Sequence, residues 1–240
     1  MPVRVGGMAK TAVPEERRRR RRPTKQGTVL THDLIVDTAL RMLREHGAQG
    51  FTARRLGLAL GADASTVYRY FAGLDELTRA IADELMHRAM RRWAPAGAWR
   101  ADLRDLGLRI HASYLAHPQA AVLAASRVSG RVHEIAADEA VLGVLRGAGF
   151  ADPAAVRIYH VFIDQSLAFA ALDAASLALP ADARETDEAV WHATYARLPA
   201  ETHPNIAATA QLLAQRMNAS AYPAALDLLL AAAAAELVDA

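Results

Sequence analysis

Residues Phe51 to Leu77 read FTARRLGLALGADASTVYRYFAGLDEL, and their punctuation gives a helix, a tight turn, a second helix and the start of a third. Thr52 is a good N-cap for the first of these. Leu56 and Leu60, four apart, form one apolar face, and Gly61 stands where a C-terminal glycine closes a helix. Asp63 is placed to cap the second helix, expected over Ala64–Phe71, by accepting from free backbone N–H groups. Within it Val67, Tyr70 and Phe71 fall at i, i+3 and i+4 and face inward, which leaves Ala64, Ser65, Tyr68 and Arg69 outside. A short helix that buries one face and offers small residues, a Tyr and an Arg on the other suits a DNA major groove. The stretch is therefore read as a helix-turn-helix.

Working outward, a helix is expected from after Thr31 to His46. Ile35, Ala39, Met42 and Leu43 give its i, i+4, i+7, i+8 stripe. Asp33 suits its first turn, and Gly47 ends it. On the other side a helix starts near Leu74, carries Leu77, Ile81 and Leu85, and runs to about Arg92 before Pro95 and Gly97. It is expected to join the reading head to the body.

The same residues resemble the TetR-type one-component repressors. The likeness is carried by Phe51-Thr52, Leu56, Leu60-Gly61, Thr66-Val67-Tyr68, Tyr70-Phe71 and Asp75-Glu76-Leu77, and LIVDTALRMLREHGAQG (34–50) is similar to that family's first helix. It runs from about Leu30 to Leu85; beyond Arg92 it rests on helix count and length. One departure stands out: Leu74 occupies the place where the family usually has a phosphate-contacting Lys. The resemblance implies that Arg54, Ser65, Thr66, Tyr68 and Arg69 contact DNA, with Thr52 and Tyr70 on phosphates. Arg69 is the first choice for base readout, because a guanidinium can bond both acceptors of a guanine. Ala64 can do no more than meet a thymine methyl.

With 240 residues, 52% of them hydrophobic, the chain is long enough for one large or two modest domains with a real core. It has no Cys, which excludes disulfides and thiolate chemistry. The N-terminus is charged without an apolar region of signal-peptide type, and the Ala-rich stretch from Ala224 to Ala235, interrupted by Asp227, is too short to span a bilayer. A cytoplasmic protein with no membrane partner is expected. The net charge of +2 is unevenly placed. Residues 1–92 hold 18 Lys and Arg against 10 Asp and Glu, a net of +8; residues 93–240 hold 10 against 16, a net of −6. A basic head on an acidic body is the footprint of a DNA-reading module carried by a part that does not touch DNA. Residues 1–27 read as a disordered basic arm, with Pro2, Pro14 and Pro23 and the run Arg17–Arg22. Two readings of that run stand: contact with a minor groove or phosphates, or a solvated charge run.

Beyond Trp99 nearly everything reads as helix. Trp99, Leu103, Leu106, Ile110 and Tyr114 mark one that stops at Pro118; others are expected around Gln119–Val128 and His133–Arg146. Pro153–Leu179 is apolar almost all round, so one face needs a partner outside its own subunit. Ala181–Glu185 reads as a polar loop, followed by helices at Asp187–Leu198, Ile206–Met217 and Tyr222 to about Val238. There is no internal repeat and no strand pattern.

Catalytic signals are missing. His160 and Asp164, four apart, are a possible pair of metal ligands, yet no HExxH or second matching pair accompanies them. Ser126, Ser129 and Ser166 lack a Gly-x-Ser-x-Gly context, and no glycine-rich phosphate loop follows a strand. No enzymatic activity, no metal and no cofactor are expected. A pocket for a largely apolar small molecule is expected in the body, with Trp99, Tyr114, His160, Phe162, Phe169, Trp191 and Tyr195 as candidate lining. The fold expected is all-α: a helix-turn-helix head over 28–75 and a larger ligand-binding and dimerisation body over 76–240. The function expected is a homodimeric repressor that binds a palindromic operator and is released by a ligand. The rivals are a constitutive architectural DNA-binding dimer without a ligand, and a helical enzyme.

Overall fold

A computed structural model of the chain describes residues 29–216 and 219–238. The arm over 1–27, its arginine run included, lies outside the described residues. The described residues are all helical apart from turns and loops, without a strand.

The head is three helices, α1 (His32–His46), α2 (Ala53–Ala59) and α3 (Ala64–Val67). Thr31 and Thr52 cap α1 and α2, their hydroxyls accepting from Leu34 N and Arg55 N at 3.1 and 3.2 Å. Gly47 and Gly61 leave these helices in the left-handed region, at φ 67° and 64°. The turn after α2 is tight enough to need a second kind of glycine. A Cβ on Gly57 would lie 2.9 Å from both the Ala62 carbonyl oxygen and the Ala64 nitrogen, so only glycine lets α2 approach the start of α3. Ile35, Leu43, Leu56, Val67, Phe71 and Leu77 close the head core.

Two expectations are corrected here. The reading helix is α-helical only to Val67. It then tightens through turn bonds such as Arg69 N to Thr66 O and Tyr70 N to Val67 O, at 3.2 and 2.9 Å, to reach Phe71. Asp63 has the extended backbone of an N-cap, but its side chain makes no cap hydrogen bond and is exposed.

Helix α4 (Leu74–Met90) belongs to both halves. Leu77 faces the head, Leu85 and Met86 the body, and the helix packs on α1 as well as on α5 (Trp99–Leu115), α6 (Pro118–Ala124) and α7 (Val132–Gly147). Leu74, where the family pattern has Lys, is half-buried against the core. Asp83 of α4, buried, accepts from the backbone N–H groups of His133 and Glu134 at 3.0 Å each and so caps α7.

The centre of the body is α8 (Asp152–Ala178), packed on α5, α6, α7 and α11 (Tyr222–Val238). Its buried Phe162 and the α5 residues Leu103, Leu106 and Ile110 are fully enclosed, each contributing about 1.5–3 kcal/mol of burial. Helix α11 crosses α5 at Gly107, where a Cβ would meet the Tyr222 hydroxyl at 2.5 Å. That hydroxyl pairs with Ser166 at 2.7 Å, and the Tyr222 ring stacks on His111, which is bonded to Asp173 at 2.7 Å. Among the described residues α8 is the one helix long and apolar enough to cross a membrane. Its Arg157 and Asp173 are instead tied to Glu236 of α11 and His111 of α5.

Helices α9 (Ala181–Thr194) and α10 (Pro204–Arg216) contain no buried residue. The loop expected at Ala181–Glu185 is the first part of α9: Pro180 sits at the N-cap, and Ala, Arg and Glu behind it are strong helix formers.

Candidate nucleic-acid interface and internal cavity

The outward face of the head is built by α2 and α3 together. Arg54, Ser65, Tyr68 and Arg69 are exposed, Tyr68 to 54%, and Thr66 is half-buried. Neither Arg54 nor Arg69 makes an ion pair with a described residue, so both guanidinium groups are available to an anion. The Thr52 oxygen is used in capping α2, but its own proton is not, and an exposed hydroxyl of this kind can donate to a phosphate.

Tyr70 departs from the expected phosphate contact. Its hydroxyl donates to the Leu30 carbonyl at 3.0 Å and its ring lies edge-on to His32, 5.3 Å between centroids. The proton a phosphate needs is committed inside the head, because Tyr70 lies on the same face as Val67. It holds the chain entering α1 against the end of the reading helix.

In the body a half-open cavity of about 490 Å³ lies between α4, α5, α7, α8 and the segment 125–128 that follows α6. Tyr114 and His160 line it as expected. Glu134, Asp138 and Tyr159, which sequence reading passed over, line it too, as does Asp164, which it had paired with His160 only as a possible metal ligand. The signal was two i, i+4 pairs, Glu134 with Asp138 and His160 with Asp164, and such spacing also describes any solvated helix face. Burial pushes the Asp138 carboxyl above its ordinary range, against the lowering effect of the nearby Tyr159 phenol. Burial likewise pushes the Tyr114 phenol up, with Glu134 and Asp83 adding to it, so the hydroxyl stays protonated.

The other expected lining residues are elsewhere. Phe162 is fully enclosed in the core, and Phe169 packs on Tyr222 at 5.7 Å between centroids. Trp99 meets Phe150 edge-on and borders a second cleft of about 460 Å³ against α7. Trp191 stacks on Tyr195 at 5.4 Å, both at the end of α9 and away from the cavity. An apolar ring on an apolar helix gives no hint of which neighbour it meets. No three His, Asp or Glu among the described residues converge as metal ligands.

Head and body are joined by charged contacts along α4. Arg88 reaches Asp37 of α1 at 2.8 Å, Glu84 at 2.7 Å and His117 at 2.7 Å. Arg127, on the cavity's edge, is paired with Asp75 in the first turn of α4, and Arg131 reaches Glu76 at 3.3 Å. Asp75 is only four residues past Phe71, where the reading helix ends.

Residues 35–81 match the family described as bacterial regulatory proteins, tetR family, and residues 94–238 match the tetracyclin repressor-like C-terminal domain. The chain is similar to an HTH-type transcriptional regulator of Saccharopolyspora erythraea, 29% identical over 132 residues, 54% of this chain and 56% of that protein. It is also similar to the HTH-type transcriptional repressor DrrR1 of Streptomyces coeruleorubidus, 30% identical over 138 residues, 55% of this chain and 50% of that protein. The chain thus spans about half the length of the curated relatives it matches. Among solved structures, a possible TetR family transcriptional regulator from Streptomyces coelicolor superposes with a TM-score of 0.73 at 28% identity, covering 85% of this chain and 99% of that one. ActR of the same organism, described in complex with actinorhodin, superposes with a TM-score of 0.75 over 86% and 96% of the two chains; at 22% identity it shows the shared fold.

Proposed function

We propose, for a chain that belongs to the TetR family of bacterial regulatory proteins, that it is a DNA-binding transcriptional repressor released by a small molecule held in the body. The observation that carries this reading is the single helix α4: it begins just past the reading helix and ends as a wall of the 490 Å³ cavity. Ser65, Thr66, Tyr68 and Arg69 read base edges, Arg54 and Thr52 hold phosphates, and Tyr70 positions the reading helix from behind. The protein acts as a homodimer in the cytoplasm and binds a palindromic operator, with half-sites about 34–36 Å apart. Exposed Leu172 and Leu228, on α8 and α11, support pairing through a four-helix bundle of these helices.

Release follows from the same connections. A ligand that moves the segment 125–128 pulls on Asp75 through Arg127 and so tilts the start of α4. It shifts the equilibrium only by its differential affinity for the two head spacings. A constitutive architectural dimer has no use for such a cavity, and the cavity therefore favours the ligand-responsive reading. The test is selection of bound duplexes from a random pool by the full-length protein. Enrichment of a two-fold symmetric motif is expected; a pool that stays random, with binding set by salt alone, overturns the reading.

A further inference from the structure

We propose that the body itself contacts DNA: Arg127, after α6, and Arg131, at the start of α7, hold a backbone phosphate beside the reading helix. The inference rests on the reading of the head as the DNA interface and extends that interface past the helix-turn-helix. A major groove is about 12 Å wide and a helix with its side chains about 10–12 Å across, so a reading helix fills the groove. The chain that leaves this helix at Phe71 then passes over the flanking sugar–phosphate strand, and α4 begins three residues on, at Leu74. Leu74 is half-buried and brings no charge to that strand. Asp75, exposed, and Glu76, half-buried, bring the sign that repels it.

Arginines answer that charge. Arg79, one turn on in α4, reaches Asp75 Oδ2 at 2.9 Å, Arg127 pairs with the other oxygen of Asp75, and Arg131 reaches Glu76 at 3.3 Å. Three guanidinium groups thus meet two carboxylates, a net of +1 in this ion-paired cluster, and two of the three come from the body. The surplus is open to solvent: the Arg127 and Arg131 side chains are 33% and 32% exposed. Each gives its carboxylate one nitrogen, Nη2, whereas a guanidinium carries five N–H donors. The planar fork can therefore hold a carboxylate on one edge and a phosphate on the other. Arg127 also borders the cavity, so one guanidinium belongs to both sites. An occupant that draws it inward takes a cation from DNA and leaves Asp75 facing the phosphate. That coupling is electrostatic and reciprocal: DNA that engages Arg127 withholds it from the cavity.

The test is the salt dependence of DNA binding by the full-length protein, on random duplex and on an operator enriched from it. Arg127→Gln and Arg131→Gln are each expected to lower the slope of log affinity against log salt by about 0.9, so that a rise from about 50 to 200 mM salt costs each variant about three- to fourfold less affinity than it costs the unmutated chain. Both DNAs are expected to weaken by one factor, because a phosphate carries no sequence. Arg146→Gln makes the same charge change at an exposed ion pair with Asp152, about 24 Å along α7 from its start, and is expected to keep the slope. Asp75→Asn breaks the pair yet keeps Arg127, and is expected to tighten binding. Unchanged slopes in both body variants overturn the proposal. So does an equal slope change in Arg146→Gln, which assigns the effect to net charge, or a loss in Asp75→Asn equal to that of Arg127→Gln, which makes Arg127 a strut for α4. If the unmutated chain binds neither DNA, the reading of the head falls and takes the inference with it. Thermal unfolding checks each fold; should one body variant unfold, the other decides.

Discussion

The Arg88 guanidinium donates to His117 Nε2 at 2.7 Å, and this fixes the state of the imidazole. Arginine can only donate, so Nε2 accepts and the ring proton is on Nδ1, which is buried without a partner. Burial, and then the adjacent guanidinium, lower the His117 pKa. Arg88 also holds Asp37 of α1, so the pair lies on the joint between head and body.

A pH dependence of that joint is the first prediction. A histidine whose folded pKa is depressed binds fewer protons in the folded state than in the unfolded one. Its contribution is full above the unfolded value of about 6.5 and is lost as pH falls below it toward the folded pKa. The melting temperature should therefore fall between pH 7 and pH 5 by more in the unmutated chain than in His117→Gln, whose amide oxygen can still accept from Arg88. Parallel falls in the two proteins would show that His117 does not couple folding to pH.

On the reading helix, Arg69 and Tyr70 are neighbours with opposite assignments. Arg69→Ala should weaken binding to a selected operator by about 1–3 kcal/mol and relax preference at one base position, with an unchanged melting temperature. Equal losses on operator and random DNA would move Arg69 to phosphate. Tyr70→Phe removes the bond to the Leu30 carbonyl and should cost about 0.5–1.5 kcal/mol of stability. Its operator affinity in high excess of folded protein should stay within about twofold. Anisotropy titration beside urea unfolding separates the two effects.

Gly57→Ala is expected to be the most damaging small change in the head. Its Cβ meets backbone atoms at 2.9 Å, and backbone cannot swing aside as a side-chain end can. Separating α2 from α3 should cost about 1–3 kcal/mol, against the few tenths expected at an open position such as Gly73. Urea unfolding of the two Ala variants makes the comparison. A Gly57→Ala protein as stable as the unmutated one would show that the turn relaxes.

The proposed subunit interface makes the last prediction. Leu172 and Leu228 are 66% and 72% exposed in a single copy. Leu172→Glu with Leu228→Glu should convert a dimer to a folded monomer in sedimentation at micromolar concentration, with unchanged helical circular dichroism. If the unmutated chain already sediments as a monomer there, the four-helix bundle is wrong.

Much of this protein was legible in its sequence because the signals are local. Thr31, Thr52, Gly47 and Gly61 terminate α1 and α2 by backbone chemistry acting within one turn, and the structure places them where that chemistry requires. Leu56, Val67, Phe71 and Leu77 repeat at helical spacing and form the head core. The basic head, the all-helical body and the apolar length of α8 follow from composition and period alone. What the tertiary structure decided is which residues meet across helices. Helix α8 is apolar almost all round, so its period cannot say that Phe162 faces the core while His160 and Asp164 face the cavity. Trp191 and Tyr195 are aromatic like the core residues, yet they stack on each other outside it. Asp138 and Tyr159 are 21 positions apart and on different helices; they line one cavity only because α7 and α8 pack. Caps and stripes are set by neighbours in the chain, whereas a cavity is set by how helices fill the space between them.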